Sequence, residues 1–125
     1  MRPADDIVCQ LVRGDLAAQV VARTETAVAF LDHRPVFLGH TLVCPVRHVR
    51  TLPELPTDQL TPLFSLVQRV AQAMVDGLGA HGSFVAVNNT VSQSVHHLHV
   101  HVVPRTKGDG LRGFFWPRPT YPDGP

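Results

Sequence analysis

The residues with the most chemical potential in this chain are His97, His99 and His101, spaced two apart in the run Ser94-Val95-His96-His97-Leu98-His99-Val100-His101-Val102-Val103-Pro104-Arg105. Imidazole titrates near neutrality and serves as acid, base, nucleophile or ligand. Successive side chains of a β-strand point to opposite faces, so a strand here carries all three imidazoles on one face and Leu98, Val100 and Val102 on the other. The apolar set suits a strand with one face in a core. Pro104, which has no N–H to donate, is expected to end the ladder.

The elements that position this strand are legible upstream. Asp5 to Gly14 opens on acids, closes on Arg13 and Gly14, and sets Ile7, Val8, Leu11 and Val12 at helical spacing, which predicts one short helix. Gln19 to Arg23 and Thr26 to Leu31 read as a hairpin, although its Thr24-Glu25 turn lacks the usual Gly or Asn. A third strand is expected at Thr41 to Val46, with Pro45 marking an end or an edge. Leu60, Leu63, Phe64, Val67, Val70, Ala71, Met74 and Leu78 keep one stripe at spacings of three and four, so a long core helix follows. Its start is ambiguous between a Thr57-Asp58 cap and Thr61 capping a helix that begins at Pro62. Gly77 and Gly79 mark its stop. Phe84 to Val87 is expected as a fourth strand, Asn88 to Gln93 as a turn, and the histidine strand as the fifth. The sum is an α+β domain on an antiparallel five-stranded sheet with one long and one short helix. The core runs from about residue 5 to 112, and residues 113–125 form an irregular tail in which Phe114-Phe115-Trp116 needs burial.

Composition narrows the function classes. The chain has 125 residues, enough for one domain with a real core, and 11 Lys and Arg against 10 Asp and Glu give a formal charge of +1. No like-charge block appears, so no surface for a nucleic-acid backbone is expected. No apolar run reaches the length of a membrane span. Cys9 and Cys44 lie far apart and no leader pattern opens the chain, so a reducing cytoplasm is the expected home.

His97-Leu98-His99-Val100-His101-Val102-Val103 resembles the histidine triad signature, in which three histidines alternate with apolar residues. The chain is similar to that superfamily from Asp6 to about Arg112, through Phe30-Leu31-Asp32, Gly39 to Val43, Pro45, His48, Asn88 and Gln93-Ser94. The resemblance implies a compact fold that dimerises into one continuous sheet, binds purine nucleotides and attacks their α-phosphorus. It makes His99 the nucleophile of a covalent nucleotidyl-histidine, with His97 and His101 orienting it and contacting phosphate. Asn88, Gln93 and Ser94 would bind phosphates or the leaving group, and Asp32 the ribose hydroxyls. The expected activity is hydrolysis or transfer on a nucleoside phosphoramidate or dinucleoside polyphosphate. The rival is a non-enzymatic nucleotide-binding or interaction protein on the same fold, docking through its aromatic tail.

Other histidines carry plainer expectations. His96 lies outside the motif, with a structural role or none; His40 and His48 flank a strand, where an exposed loop-polar reading is open to them and is the better one for His33 and His81, with base stacking a second role for His33. Arg105 is either a phosphate contact or a solvated cation. The resemblance also bears on metal: related chains hold a structural zinc with two Cys, a His like His48 and the first triad His. Here Asp6 and Cys9 occupy the Cys positions. Asp6, Cys9, His48 and His97 form an admissible tetrahedral set, but a carboxylate in place of a thiolate favours loss of the site, so no cofactor is expected. The loop Thr90-Val91-Ser92-Gln93-Ser94 is also shorter than the family's, with Ser92 where Gly is common, which bears on the leaving-group pocket.

Overall fold

The computed structural model describes residues 6–111 and 117–124, so Phe114-Phe115-Trp116 lies outside the described residues. Helix α1 (Ile7–Arg13) starts where the Asp6 carboxylate accepts from the Cys9 N–H at 2.8 Å and stops at Gly14, whose φ of 85° is a left-handed conformation that glycine adopts without strain. Strands β1 (Val20–Arg23), β2 (Ala27–Leu31) and β3 (Thr41–Pro45) follow, then two 3₁₀ turns, helix α2 (Leu60–Leu78), β4 (Gly82–Val87) and β5 (Val100–Arg105). All neighbours are antiparallel in the order β1-β2-β3-β5-β4.

The hairpin turn works without Gly or Asn because the Thr24 hydroxyl accepts from the Ala27 N–H at 3.0 Å and the Thr26 N–H at 3.3 Å. Pro45 ends an interior strand rather than marking an edge, since β3 pairs with β5 only over Thr41–Val43. Neither expected cap starts α2. A 3₁₀ turn at Thr57–Gln59 runs straight into Leu60, and Pro62 falls in the first turn, where N–H groups have no intrahelical acceptor.

The histidine strand differs from expectation at both ends. His97, Leu98 and His99 precede β5, which begins at Val100. Continuing the register of β3 would set Leu98 opposite Pro45, which has no N–H, and the Leu98 N–H instead donates to Val49 O at 2.8 Å. Pro104 does not end the strand. It pairs with Ser83 of β4 beyond the last β3 partner, where the ladder on that side has already closed. β4 likewise starts at Gly82, two residues earlier than its apolar run.

The alternation of faces still holds. Leu98, Val100 and Val102 join Ala27, Ala29 and Val43 under Leu63, Leu66, Val67, Val70 and Met74 of α2. On the opposite face Val8 and Leu11 of α1 cover Val28, Phe30 and Cys44. Each of those α1 side chains contributes about 1.5 to 3 kcal/mol by leaving water, which is most of what holds so short a helix to the sheet.

Candidate functional site

The triad sits where β5 emerges on the α1 face. His97 is fully buried: its Nε2 donates to the Pro45 carbonyl at 2.8 Å and its Nδ1 lies 3.2 Å from an Asp6 carboxylate oxygen. Both ring nitrogens are therefore engaged by protein, and neither faces the cleft. The His97 carbonyl accepts from His99 Nδ1 at 2.7 Å. A carbonyl can only accept, so His99 carries its proton on Nδ1 and keeps the Nε2 lone pair bare. His99 lines a cavity of about 100 Å³ with Ser94, Val95, His101, Phe30 and Asp32.

A fourth histidine controls the tautomer of His101. The Val36 N–H donates to His40 Nδ1 at 3.1 Å, which puts the His40 proton on Nε2, and that atom lies 3.0 Å from His101 Nδ1. His101 therefore accepts on Nδ1 and carries its own proton on Nε2. Burial holds both rings below the ordinary histidine pKa, His101 at about 4 with His99 and His40 adding to the effect, so both are neutral near pH 7. Of the readings open to His40, the exposed loop polar does not hold, because the residue is buried. The signal was present in the sequence: stepping back by two from Leu42 and Cys44, which face α1, reaches His40.

The remaining expected residues divide. Asp32 lies beside the cavity, one oxygen accepting from the Arg34 N–H at 3.0 Å and the other 3.7 Å from His40 Nε2. It also lines a neighbouring cleft of about 650 Å³, walled by Ile7, Leu11, Leu16, Phe30 and Leu31 with Gln19 and His33 at the polar end. Ser94 reaches the small cavity, whereas Asn88 is exposed. Gln93 is buried and its carboxamide is bonded to backbone at both ends. Arg105 is paired with Asp109 at 2.6 Å, and His81 accepts from the Lys107 N–H. His96 is exposed.

Asp6, Cys9, His48 and His97 converge although they span ninety-one residues of separation. Their ligand atoms stand at 2.8 Å (Asp6 to His48), 3.2 Å (Asp6 to His97), 3.5 Å (Asp6 to Cys9), 3.2 Å (His48 to His97) and 3.7 Å (Cys9 to each histidine). A tetrahedral zinc with its usual bond lengths has edges of about 3.3 to 3.7 Å, so the donor set fits that ion. The chemistry agrees. With its proton on Nε2 toward Pro45, a neutral His97 presents a bare Nδ1 to a carboxylate, two lone pairs that a cation between them reconciles. Burial would by itself raise the Asp6 carboxyl, but the Cys9 N–H and His97 outweigh it and hold the group below the usual range. Burial likewise lowers His97 and favours its neutral form, against the opposing pull of Pro45 O and Asp6. The second cluster, Asp32, His40 and His101, does not suit a metal, because the Val36 N–H forces a proton onto the His40 nitrogen that would have to ligate.

Comparison with known proteins identifies the family. A HIT-like protein of Methanocaldococcus jannaschii is 37% identical over 106 residues, covering 83% of this chain and 81% of that protein. The adenosine 5'-monophosphoramidase hnt1 of Schizosaccharomyces pombe is 33% identical over 121 residues, covering 95% and 86%. The crystal structure of a Zn-bound histidine triad family protein from Mycobacterium smegmatis superposes with a TM-score of 0.82 at 35% identity, covering 93% of this chain and 86% of that one. The family model for the HIT domain matches residues 13–108, most of the folded part, and the chain belongs to that family, the histidine triad superfamily.

Proposed function

We propose that this protein cleaves at the α-phosphorus of a nucleoside phosphoramidate or a dinucleoside polyphosphate through a covalent nucleotidyl-His99. Members of the family act as nucleotide hydrolases or transferases. The observation that carries the finer reading is the 2.7 Å bond from His99 Nδ1 to the His97 carbonyl, which leaves Nε2 as a nucleophile with a fixed lone pair. His99 Nε2 forms the bond to phosphorus as the bond to the leaving nitrogen or oxygen breaks. The His101 Nε2–H donates to the phosphoryl oxygens and stabilises the charge they carry, while the leaving nitrogen or oxygen takes its proton from solvent water. Water then attacks the phosphorus as the bond to His99 Nε2 breaks, releasing the nucleoside monophosphate, regenerating His99 and returning to solvent the proton that the leaving atom took. The apolar cleft beside α1 is of a size for the base, with Asp32 accepting from the ribose hydroxyls. On this reading His97 orients the nucleophile through its carbonyl and makes no phosphate contact.

We also propose a structural zinc on Asp6, Cys9, His48 and His97. The fit of the four ligand atoms supports this over the metal-free state that the sequence favours. When bound, the ion supplies a cross-link between the start of α1 and the loops before α2 and β5. It takes no part in the phosphoryl chemistry.

His99→Ala is expected to abolish turnover of adenosine phosphoramidates and diadenosine polyphosphates while AMP still binds. Full turnover in that variant ends the nucleophile assignment. Wild-type protein that binds AMP yet turns over nothing across P–N, P–S, P–F and P–O–P substrates makes this a binding protein instead.

A further inference from the structure

The loop between β4 and the triad is backbone that should not hold its shape unaided. Thr90 and Ser92 stand at φ of 68° and 60°, left-handed conformations that cost a non-glycine residue about 1 kcal/mol or more each and persist only where the surroundings impose them. What imposes them is contact with the segment that follows β3. Leu98 N donates to Val49 O at 2.8 Å, and the Asn89 side-chain oxygen accepts from Leu52 N at 2.8 Å. Between these, Gln93 uses both ends of its carboxamide: Oε1 accepts from Thr90 N at 2.9 Å and Nε2 donates to Arg50 O at 2.6 Å. The side chain is only 8% exposed. A neutral carboxamide on a two-carbon stem supplies an acceptor and a donor at once, whereas Glu lacks the donor, Lys and Arg the acceptor, and Asn the reach.

We propose that Gln93 is a positioning residue that fastens this loop to residue 50, and that it does not serve as a phosphate ligand; Ser94, next in sequence and on the cavity wall, is the side chain the clamp presents to the phosphate. The part concerning Ser94 rests on the nucleotide-binding reading above, while the clamp itself is tested without nucleotide.

Hydrogen exchange of the full chain, free of nucleotide, is compared for wild type, Gln93→Leu and Gln93→Glu. Amides of residues 90–94 should exchange about tenfold faster or more in Gln93→Leu, which loses both hydrogen bonds to strained backbone, and faster than wild type in Gln93→Glu, which loses the one to Arg50 O. The loss of AMP affinity in Gln93→Leu should vanish when Ser94 is already Ala, to within about twofold, because the clamp acts on the phosphate only through that side chain. In wild type the Gln93 side-chain amide resonances should be slow to exchange and should hold their positions when AMP is added, a measurement that does not depend on either variant folding. Unchanged loop exchange in the variants, or a loss of AMP affinity in Gln93→Leu that persists in full in the Ser94→Ala background, or a large shift of the Gln93 amide on adding AMP, overturns the assignment. Failure of wild type to bind AMP would strike the nucleotide reading and leave the exchange result to judge the clamp.

Discussion

His40 Nε2 lies 3.0 Å from His101 Nδ1, and because the Val36 N–H occupies the far nitrogen of His40, this contact runs in one direction only. His40 therefore fixes which nitrogen of His101 bears the proton without touching substrate. His40→Phe should lower kcat by about a hundredfold, within the usual worth of one preorganised donor to developing charge, with little change in AMP affinity. His40→Gln can still accept from Val36 and donate to His101, so it should recover much of the loss. Equal damage in both variants would reduce His40 to a packing residue.

The four-residue cluster predicts metal content. Protein purified without chelator should carry near-stoichiometric zinc by elemental analysis, and Cys9→Ser or Asp6→Asn should lower it. Chelation should lower the melting temperature by several degrees, the scale expected for about 1 to 2 kcal/mol in a domain of this size. Metal-free protein with the same melting temperature as the chelated sample would return His97 and His48 to ordinary hydrogen bonding.

Stability should depend on pH in one direction. The folded pKa of His101 is about 4, below the ordinary 6.5, and burial also lowers His40 and His97. Between those values the unfolded chain binds more protons, so stability rises with pH across that window, is complete above about pH 6.5, and is lost as the pH falls toward 4. Asp6, depressed below its usual value, adds a loss only at still lower pH. Urea unfolding in chelator should show about 2 kcal/mol less stability at pH 4.5 than at pH 7, after discounting His101 for its partial exposure. His101→Asn should flatten the profile, and a flat profile in wild type would mean the ring is charged in the native state.

A homodimer is the fourth expectation. β4 pairs with β5 on one side, its other side is a strand edge, and Val85 on it is 43% exposed. Light scattering at micromolar concentration should give twice 13.7 kDa. A monomer mass, or a dimer that survives a Val85→Lys substitution intact, would count against pairing through this edge.

Much of this architecture is written in local pattern. Period two between Leu98 and Val102 separates the two faces, and the α2 stripe from Leu63 to Met74 is the core stripe of the fold. What the pattern hid are features set by partners distant in sequence. The late start of β5 depends on Pro45 standing opposite Leu98, and no window around the triad contains Pro45. Gln93 has the residue type of a phosphate ligand, and only its distance to Arg50 O shows where its carboxamide is spent. His40 was hidden for a third reason: it stands one step outside its strand, where the alternation of faces continues and its carbonyl still accepts from the Asp32 N–H at 2.9 Å.

Asp6 serves two masters with its two oxygens, one accepting from the Cys9 N–H and the other facing His48 and His97. A helix of seven residues has no stability of its own, so α1 and the contacts at its first turn form or dissolve together. Ile7 and Leu11 of that helix are also the wall of the larger cleft. The wall of the cleft proposed for the base is thus a local folding unit governed by one carboxylate, and the bonds around residues 6 to 14 become the first place a protease would register that His97 has lost its partner.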